Sequence, residues 1–228
     1  MSWAKPAPVF LQGLAGVIFD CDGVMIDSRA ANNYFYNRVL ECLDLPPMTQ
    51  AQEAYVCMAT VEQSLRHIVP EQRLNEVDDI FRHKVSYERE IMPLLRLMPG
   101  FTALVEDLHA SGLRMAVATN RSSEGMQRVL DFFALPPYFN PVITASNAAP
   151  KPSPEGALQI CTAWGVPPTQ ALFVGDSLSD AQSALATDMP FAAFDNEALQ
   201  GSFHVRDHAA LRHALAPCLR AGKSLEKP

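Results

Sequence analysis

Residues 17–28 read VIFDCDGVMIDS, an apolar run that ends in Asp20 and Asp22 with Gly23 directly behind them. The run is continuously apolar rather than alternating, which is how a strand buried on both faces of a parallel sheet reads. Carboxylates two residues apart at the end of such a strand repel each other, and burial aggravates the repulsion unless a positive charge sits between them. Four further runs share the form, apolar and closed by polar residues: LRMAVATN (113–120), PVITAS (141–146), ALFVGD (171–176) and PFAAFD (190–195).

Helical patterns lie between these runs. GFTALVEDLHASG puts Phe101, Leu104, Val105 and Leu108 on one face and stops at Ser111–Gly112; SSEGMQRVLDFFAL does the same with Met126, Val129, Leu130 and Phe133. PSPEGALQICTAWG offers Ser153 as N-cap, Pro154 as first helical residue and Gly165 past the end. Alternating strands and helices predict an α/β fold with a doubly wound parallel sheet, Rossmann-like in plan. Residues 29–97 interrupt the alternation with helical patterns alone: NNYFYNRVLECL, TVEQSLRHIV with Thr60 and Gln63 at capping-box spacing, and one long stretch, QRLNEVDDIFRHKVSYEREIM. The expected organisation is a core of residues 1–28 and 98–228 with a helical cap inserted at 29–97, the chain returning near Pro93 and Pro99–Gly100. Residues 220–228 are expected to fray.

A chain of 228 residues, 48% hydrophobic, is long enough to bury a sizeable core. Its formal net charge of -7 and the lack of clustered Lys and Arg argue against nucleic acid as a partner. Five cysteines without a C-x-x-C pair fit neither a disulfide framework nor a zinc site and point to a reducing, cytoplasmic setting. Residues 9–19 are read as a linker into the first strand rather than a signal peptide, since Gln12 and two glycines interrupt them, and no run has the ~20 apolar residues of a membrane span. The six histidines show no ligand spacing apart from His204 and His208, expected on the surface.

In an open parallel sheet, ligands meet the residues that end the strands. Here those are Asp20 and Asp22, Thr119 and Asn120, Lys151, and Asp176 with Asp180. Clustered carboxylates stay ionised only around a cation, and hard oxygen ligands suit Mg²⁺. A phosphate in the same place would be neutralised by Mg²⁺ and Lys151 and would accept from the Thr119 hydroxyl. Such a clamp serves phosphoryl transfer, in which Asp20 attacks phosphorus and Asp22 gives and takes the proton.

In this order the segments DCDGVMIDS, VATN, KPSPE and VGDSLSD resemble the four motifs of the haloacid dehalogenase-like superfamily, over residues 16 to about 195. The resemblance implies Asp20 as nucleophile and metal ligand. It implies Asp22 as general acid and base with its main-chain carbonyl on the metal, Thr119 and Lys151 as phosphate binders, and Asp176 as a metal ligand supported by Asp180; Asn120, beside Thr119 at the strand end, is also expected on the phosphate. The helical insert looks like the cap of the phosphoglycolate phosphatase and beta-phosphoglucomutase group, which closes over the site and selects the substrate. Arg38, Arg66 and His67 are the cap residues expected to meet the substrate's far end. Two positions depart from the family: Met58 stands where a cap turn carries glycine, and Asp188 stands at a helix end that commonly takes one. The expected function is Mg²⁺-dependent hydrolysis of a small phosphorylated metabolite; a sugar phosphomutase and a non-catalytic phospho-ligand binder are the alternatives. A phospho-accepting receiver would order its acids differently.

Overall fold

The computed structural model describes Leu11, residues 13–135 and residues 137–221. Six parallel strands form the main sheet: β1 (Gly16–Phe19), β4 (Arg114–Thr119), β5 (Phe139–Thr144), β6 (Ala171–Gly175), β7 (Phe191–Phe194) and β8 (Phe203–Val205), in the order β5-β4-β1-β6-β7-β8. A two-residue antiparallel pair, β2 (Ile26–Asp27) with β3 (Arg96–Leu97), lies where the chain leaves the sheet and returns.

The continuous apolar runs are explained by their two burials. Val17 and Phe19 of β1, Met115 and Val117 of β4, and Leu172 and Val174 of β6 face one apolar cluster, with α5 (Phe101–Ala110), α6 (Ser123–Phe132) and α9 (His208–Ala221) packed on it. Their neighbours Ile18, Ala116, Ala118 and Phe173 face the second cluster, under α7 (Glu155–Trp164) and α8 (Leu178–Leu185). Period-two side-chain direction with both faces covered leaves no polar face on these strands. At ten residues, α5 is too short to stand alone, and the burial of Phe101, Leu104, Val105 and Leu108 holds it.

Between β2 and β3 run α1 (Arg29–Cys42), α2 (Gln50–Val56), α3 (Val61–Ile68) and α4 (Val77–His83), whose buried side chains, among them Tyr36, Leu40, Leu65 and Ile80, form a third apolar cluster. Thr60 caps α3 through the expected reciprocal bonds with Gln63. An equivalent box, Thr49 with Gln52, starts α2, which the sequence reading missed.

Several expectations need correction. The stretch 72–92 is not one helix: a 3-10 helix (Glu71–Glu76), α4, a break at Lys84–Ser86, a π-turn (Tyr87–Ile91) and a second 3-10 turn (Met92–Leu94) divide it. Val85 is buried in the insert's cluster at that break, and the Ser86 hydroxyl starts a new turn by accepting from the Arg89 amide. α7 begins at Glu155, with Pro154 as its N-cap rather than its first residue. β8 and α9 were not foreseen, and His208 is 1% exposed rather than on the surface. Asp188 adopts φ 54, the left-handed conformation expected there. α9 continues to Ala221, so the expected fraying from residue 220 does not hold at its start; residues 222–228 lie outside the described residues, as do 1–8 and, of the linker expected over 9–19, residues 9, 10 and 12. No helix among the described residues is long and apolar enough to cross a membrane.

Candidate active site

The strand order puts β1 between β4 and β6, and the chain winds outward from β1 on either side. The carboxyl ends of these three strands therefore border one crevice. β1 delivers Asp20, 6% exposed, whose amide donates to the Val174 carbonyl of β6 at 2.9 Å and whose Oδ1 accepts from the Cys21 amide at 2.7 Å. Gly23 follows at φ +77, and a Cβ built on it would lie 2.0 Å from Asp176 Oδ2, so both backbone and space require glycine.

β6 ends at Gly175, and Asp176 and α8 follow. Asp180 closes a capping box with Ser177 and, with its other oxygen, accepts from Lys151 Nζ at 2.5 Å. Lys151 Nζ also stands 2.7 Å from Asp20 Oδ1. One carboxylate oxygen from each of Asp20, Asp176 and Asp180 lies within 4.8 Å of the other two. Burial first, then the charge of Asp180, pushes Asp176 up to about 7 and lifts Asp20 well above the ordinary carboxylate range. For Lys151, burial works against the charge, but Asp180 and Asp20 outweigh it and hold the ammonium protonated. One lysine among three acids, two buried and Asp176 half-buried, leaves negative charge uncompensated, and an all-oxygen donor set is what a hard divalent cation takes. The residues fit such an ion.

Thr119 ends β4, 5% exposed, with its hydroxyl accepting from the Arg121 amide at 3.1 Å. The Asn120 side chain brackets the Lys151 backbone, Oδ1 accepting from its amide at 2.8 Å and Nδ2 donating to its carbonyl at 3.1 Å. Nδ2 also donates to the Met58 carbonyl at 3.0 Å, across to the insert. Asn120, expected on the phosphate, is thus committed by its side chain to holding the loop that carries Lys151.

Asp22 goes another way. Both its oxygens are taken by Arg121, at 2.6 and 2.7 Å. Burial pushes its carboxyl up, but the guanidinium's charge and hydrogen bonds prevail and hold it below the usual range. Its side chain stands apart from the trio of Asp20, Asp176 and Asp180, and the group expected on the metal from this residue is its main-chain carbonyl. Arg121 was missed although it lies one residue beyond VATN; only proximity in space marks it.

These groups open on a cavity of about 580 Å³ between the strand ends and the insert, lined by Asp20, Asp22, Thr119 and Lys151 on one side and by Phe35, Tyr36, Met58, Phe81, Tyr87 and Arg89 on the other. The three cap residues singled out from sequence are not on its wall. Arg38 pairs with Glu41 and Glu90, Arg66 pairs with Glu62 on its own helix, and His67 stacks on Tyr55 with centroids 4.1 Å apart. Nothing in helical spacing distinguishes a residue facing the core domain from one a turn away.

Residues 17–194 match the family model described as haloacid dehalogenase-like hydrolase. The chain belongs to that family. Among HAD-like proteins of known structure, a HAD-superfamily hydrolase, subfamily IA, variant 1, from Geobacter sulfurreducens is 34% identical, with a TM-score of 0.70 over 89% of this chain and 97% of that one. A haloacid dehalogenase-like hydrolase from Streptococcus pneumoniae shares the fold at 18% identity, with a TM-score of 0.76 over 88% and 97% of the two chains. Among curated HAD-like relatives, the phosphoglycolate phosphatase of Salmonella typhimurium is 28% identical over 211 residues, covering 79% of this chain and 81% of its own. That of Cereibacter sphaeroides is 26% identical over 209 residues, covering 89% and 93%. The likeness within the HAD-like hydrolases is to phosphatases.

Proposed function

We propose that the protein is a Mg²⁺-dependent phosphatase that hydrolyses a small phosphomonoester metabolite through an aspartyl phosphate on Asp20. The observation that carries this reading is Asp20 itself: a buried strand-end carboxylate that lines the cavity beside Lys151 and is grouped with Asp176 and Asp180. In the first step an Asp20 oxygen bonds to phosphorus as the ester P–O bond breaks, and Asp22, which must leave the Arg121 fork to carry a proton, gives that proton to the departing alcohol. In the second, water attacks phosphorus, gives a proton to Asp22, and the Asp20–phosphorus bond breaks to release inorganic phosphate. Lys151 and the Thr119 hydroxyl hold the phosphoryl oxygens, with Asn120 fixing the Lys151 loop. Asp20, Asp176 and, by the family resemblance, the Asp22 carbonyl would hold the cation, with Asp180 alongside. Bound there, Mg²⁺ supplies positive charge against the phosphoryl oxygens.

Residues 29–97 act in this reading as a cap over the core, and the curated relatives make phosphoglycolate the first ester to try. The five cysteines are all unpaired, in keeping with a reducing cytoplasm. The test is phosphate release from a panel of phosphoglycolate, sugar phosphates and nucleoside monophosphates, with Mg²⁺ and then with EDTA. Metal-dependent release from at least one supports the reading; silence across the panel from folded, Mg²⁺-supplied protein removes it.

A further inference from the structure

The wall that the insert gives to the cavity is apolar where it comes close to the reacting groups. Val56, Met58, Ala59 and Val61, between the end of α2 and the start of α3, all line it. The Met58 carbonyl accepts from Asn120 Nδ2 at 3.0 Å, which brings this turn beside Thr119 and the Lys151 loop. The π-turn reaches the core as well. Tyr87 Oη accepts from Arg121 Nη1 at 3.0 Å, and Glu88 pairs with Arg128 of α6 at 3.0 Å. Phe35 extends the wall, with Tyr87 edge-on at 6.1 Å and Phe81 stacked at 5.4 Å between centroids.

The insert is thus docked on the core through two of its segments, and about 580 Å³ remains between them. That is the scale of sites enclosing drug-sized molecules. Phosphoglycolate, a phosphate on a two-carbon acid, would fill little of it. Met58 and Val61 are 40% and 43% exposed, so apolar surface stands uncovered in a cavity whose other end takes a charged group. Covering that surface removes apolar area from water, a gain that no small acid collects. Arg82, Lys84 and Arg89 line the same cavity, but they are exposed and already solvated, so a second anion gains little from them. Met58 stands where the resembled cap turn carries glycine, and its unbranched, adaptable side chain suits contact with a ligand body.

We propose that the ester this site takes has an alcohol with an apolar, ring-sized body, seated against Met58, Val61 and the Phe35–Tyr87 pair, and that Met58 is a specificity-determining residue for it. This rests on the phosphatase reading for the reaction at phosphorus, though not for the fit of the apolar body.

The test has a turnover arm and a binding arm. With Mg²⁺, kcat/KM for benzyl phosphate and for cyclohexylmethyl phosphate should exceed that for phosphoglycolate by about tenfold or more, the discrimination that a few apolar contacts provide. In calorimetric titrations of the Mg²⁺-supplied protein, benzylphosphonate, which cannot be hydrolysed, should bind about tenfold tighter than methylphosphonate. Met58→Gly should remove most of both preferences, and Met58→Leu, which conserves apolar volume, should keep them. Should Met58→Gly lower the melting temperature, Met58→Gln keeps the length of the side chain with a polar end and should lose the preferences too. Phosphoglycolate hydrolysed as well as the ring esters, or preferences unchanged in Met58→Gly and Met58→Gln, overturns the proposal and leaves the phosphatase reading in place. Release from no ester, with benzylphosphonate still the tighter ligand, removes the phosphatase reading and keeps the apolar seat; no release and no difference between the phosphonates removes both.

Discussion

In the proposed mechanism Asp20 carries the covalent step, and burial beside Asp180 gives it electrostatic strain. Asp20→Asn should abolish turnover, since an amide cannot form the acyl phosphate, while the melting temperature without metal holds or rises as one acid leaves the trio. Retained turnover would remove the covalent step. Asp176 gives a pH prediction. Its carboxyl rises to about 7 in the fold from 3.8, so between those values the folded chain holds a proton the unfolded chain has given up. Stability without metal is therefore lost as pH rises through about 7. Mg²⁺ cancels the repulsion exposed there, so the gap in melting temperature between Mg²⁺ and EDTA should widen from pH 5.5 to pH 8; a gap independent of pH would contradict the assignment of these acids to the cation. Gly23→Ala would press a methyl group to within 2.0 Å of Asp176 Oδ2 in a left-handed backbone, and should fold less stably and bind Mg²⁺ more weakly.

The elements differ in how openly they declare themselves. β1, β4 and β6 were legible because strands buried on both faces are apolar at every position, and α5 because its four core residues repeat at helical spacing. α3 announced its start through Thr60 and Gln63; Thr60→Ala should cost about 1 kcal/mol by chemical denaturation, leaving the chemistry on Asp20 intact. The segment 72–92 misled because charge and apolar spacing are compatible with an unbroken helix. Its actual breaks at Lys84–Ser86 answer to the burial of Val85 and to the bond between the Ser86 amide and Glu90, contacts local spacing does not encode. Those breaks place Tyr87 on the cavity wall, so the misread element is also the one whose contribution to the site was missed.

At the scale of the molecule, α9 is joined to the loop that follows β1. His208, at the start of α9, lies between Phe101 and Phe194 with its Nε2 2.8 Å from the Val24 carbonyl. A carbonyl only accepts, so the neutral ring carries its proton on Nε2, and Nδ1 is left without a hydrogen-bond partner. Burial lowers the affinity of this ring for a second proton, against the weaker opposite pull of the Val24 bond and Asp207. The unfolded chain then takes up the proton first, so His208 withdraws stability as pH falls below about 6.5. In urea titrations with EDTA, His208→Leu should be less stable than wild type at pH 7 but should lose less on going to pH 5; parallel losses would clear His208 of that role.

The sequence alone determined the sheet's central strands, the existence of a helical insert and the acids, threonine and lysine at the strand ends, because each depends on local hydrophobic periodicity or on a short segment read in order. Only the tertiary structure decided which of those side chains share a site. It grouped Asp180 with Asp20 and Asp176, turned Asp22 toward Arg121, spent Asn120 on the Lys151 loop, and kept Arg38, Arg66 and His67 off the cavity wall. Hydrogen-bond partners and charge neighbours far apart in the chain follow from how layers pack, for instance the 29 positions between Lys151 and Asp180 and the 99 between Asp22 and Arg121, and no local pattern carries that information.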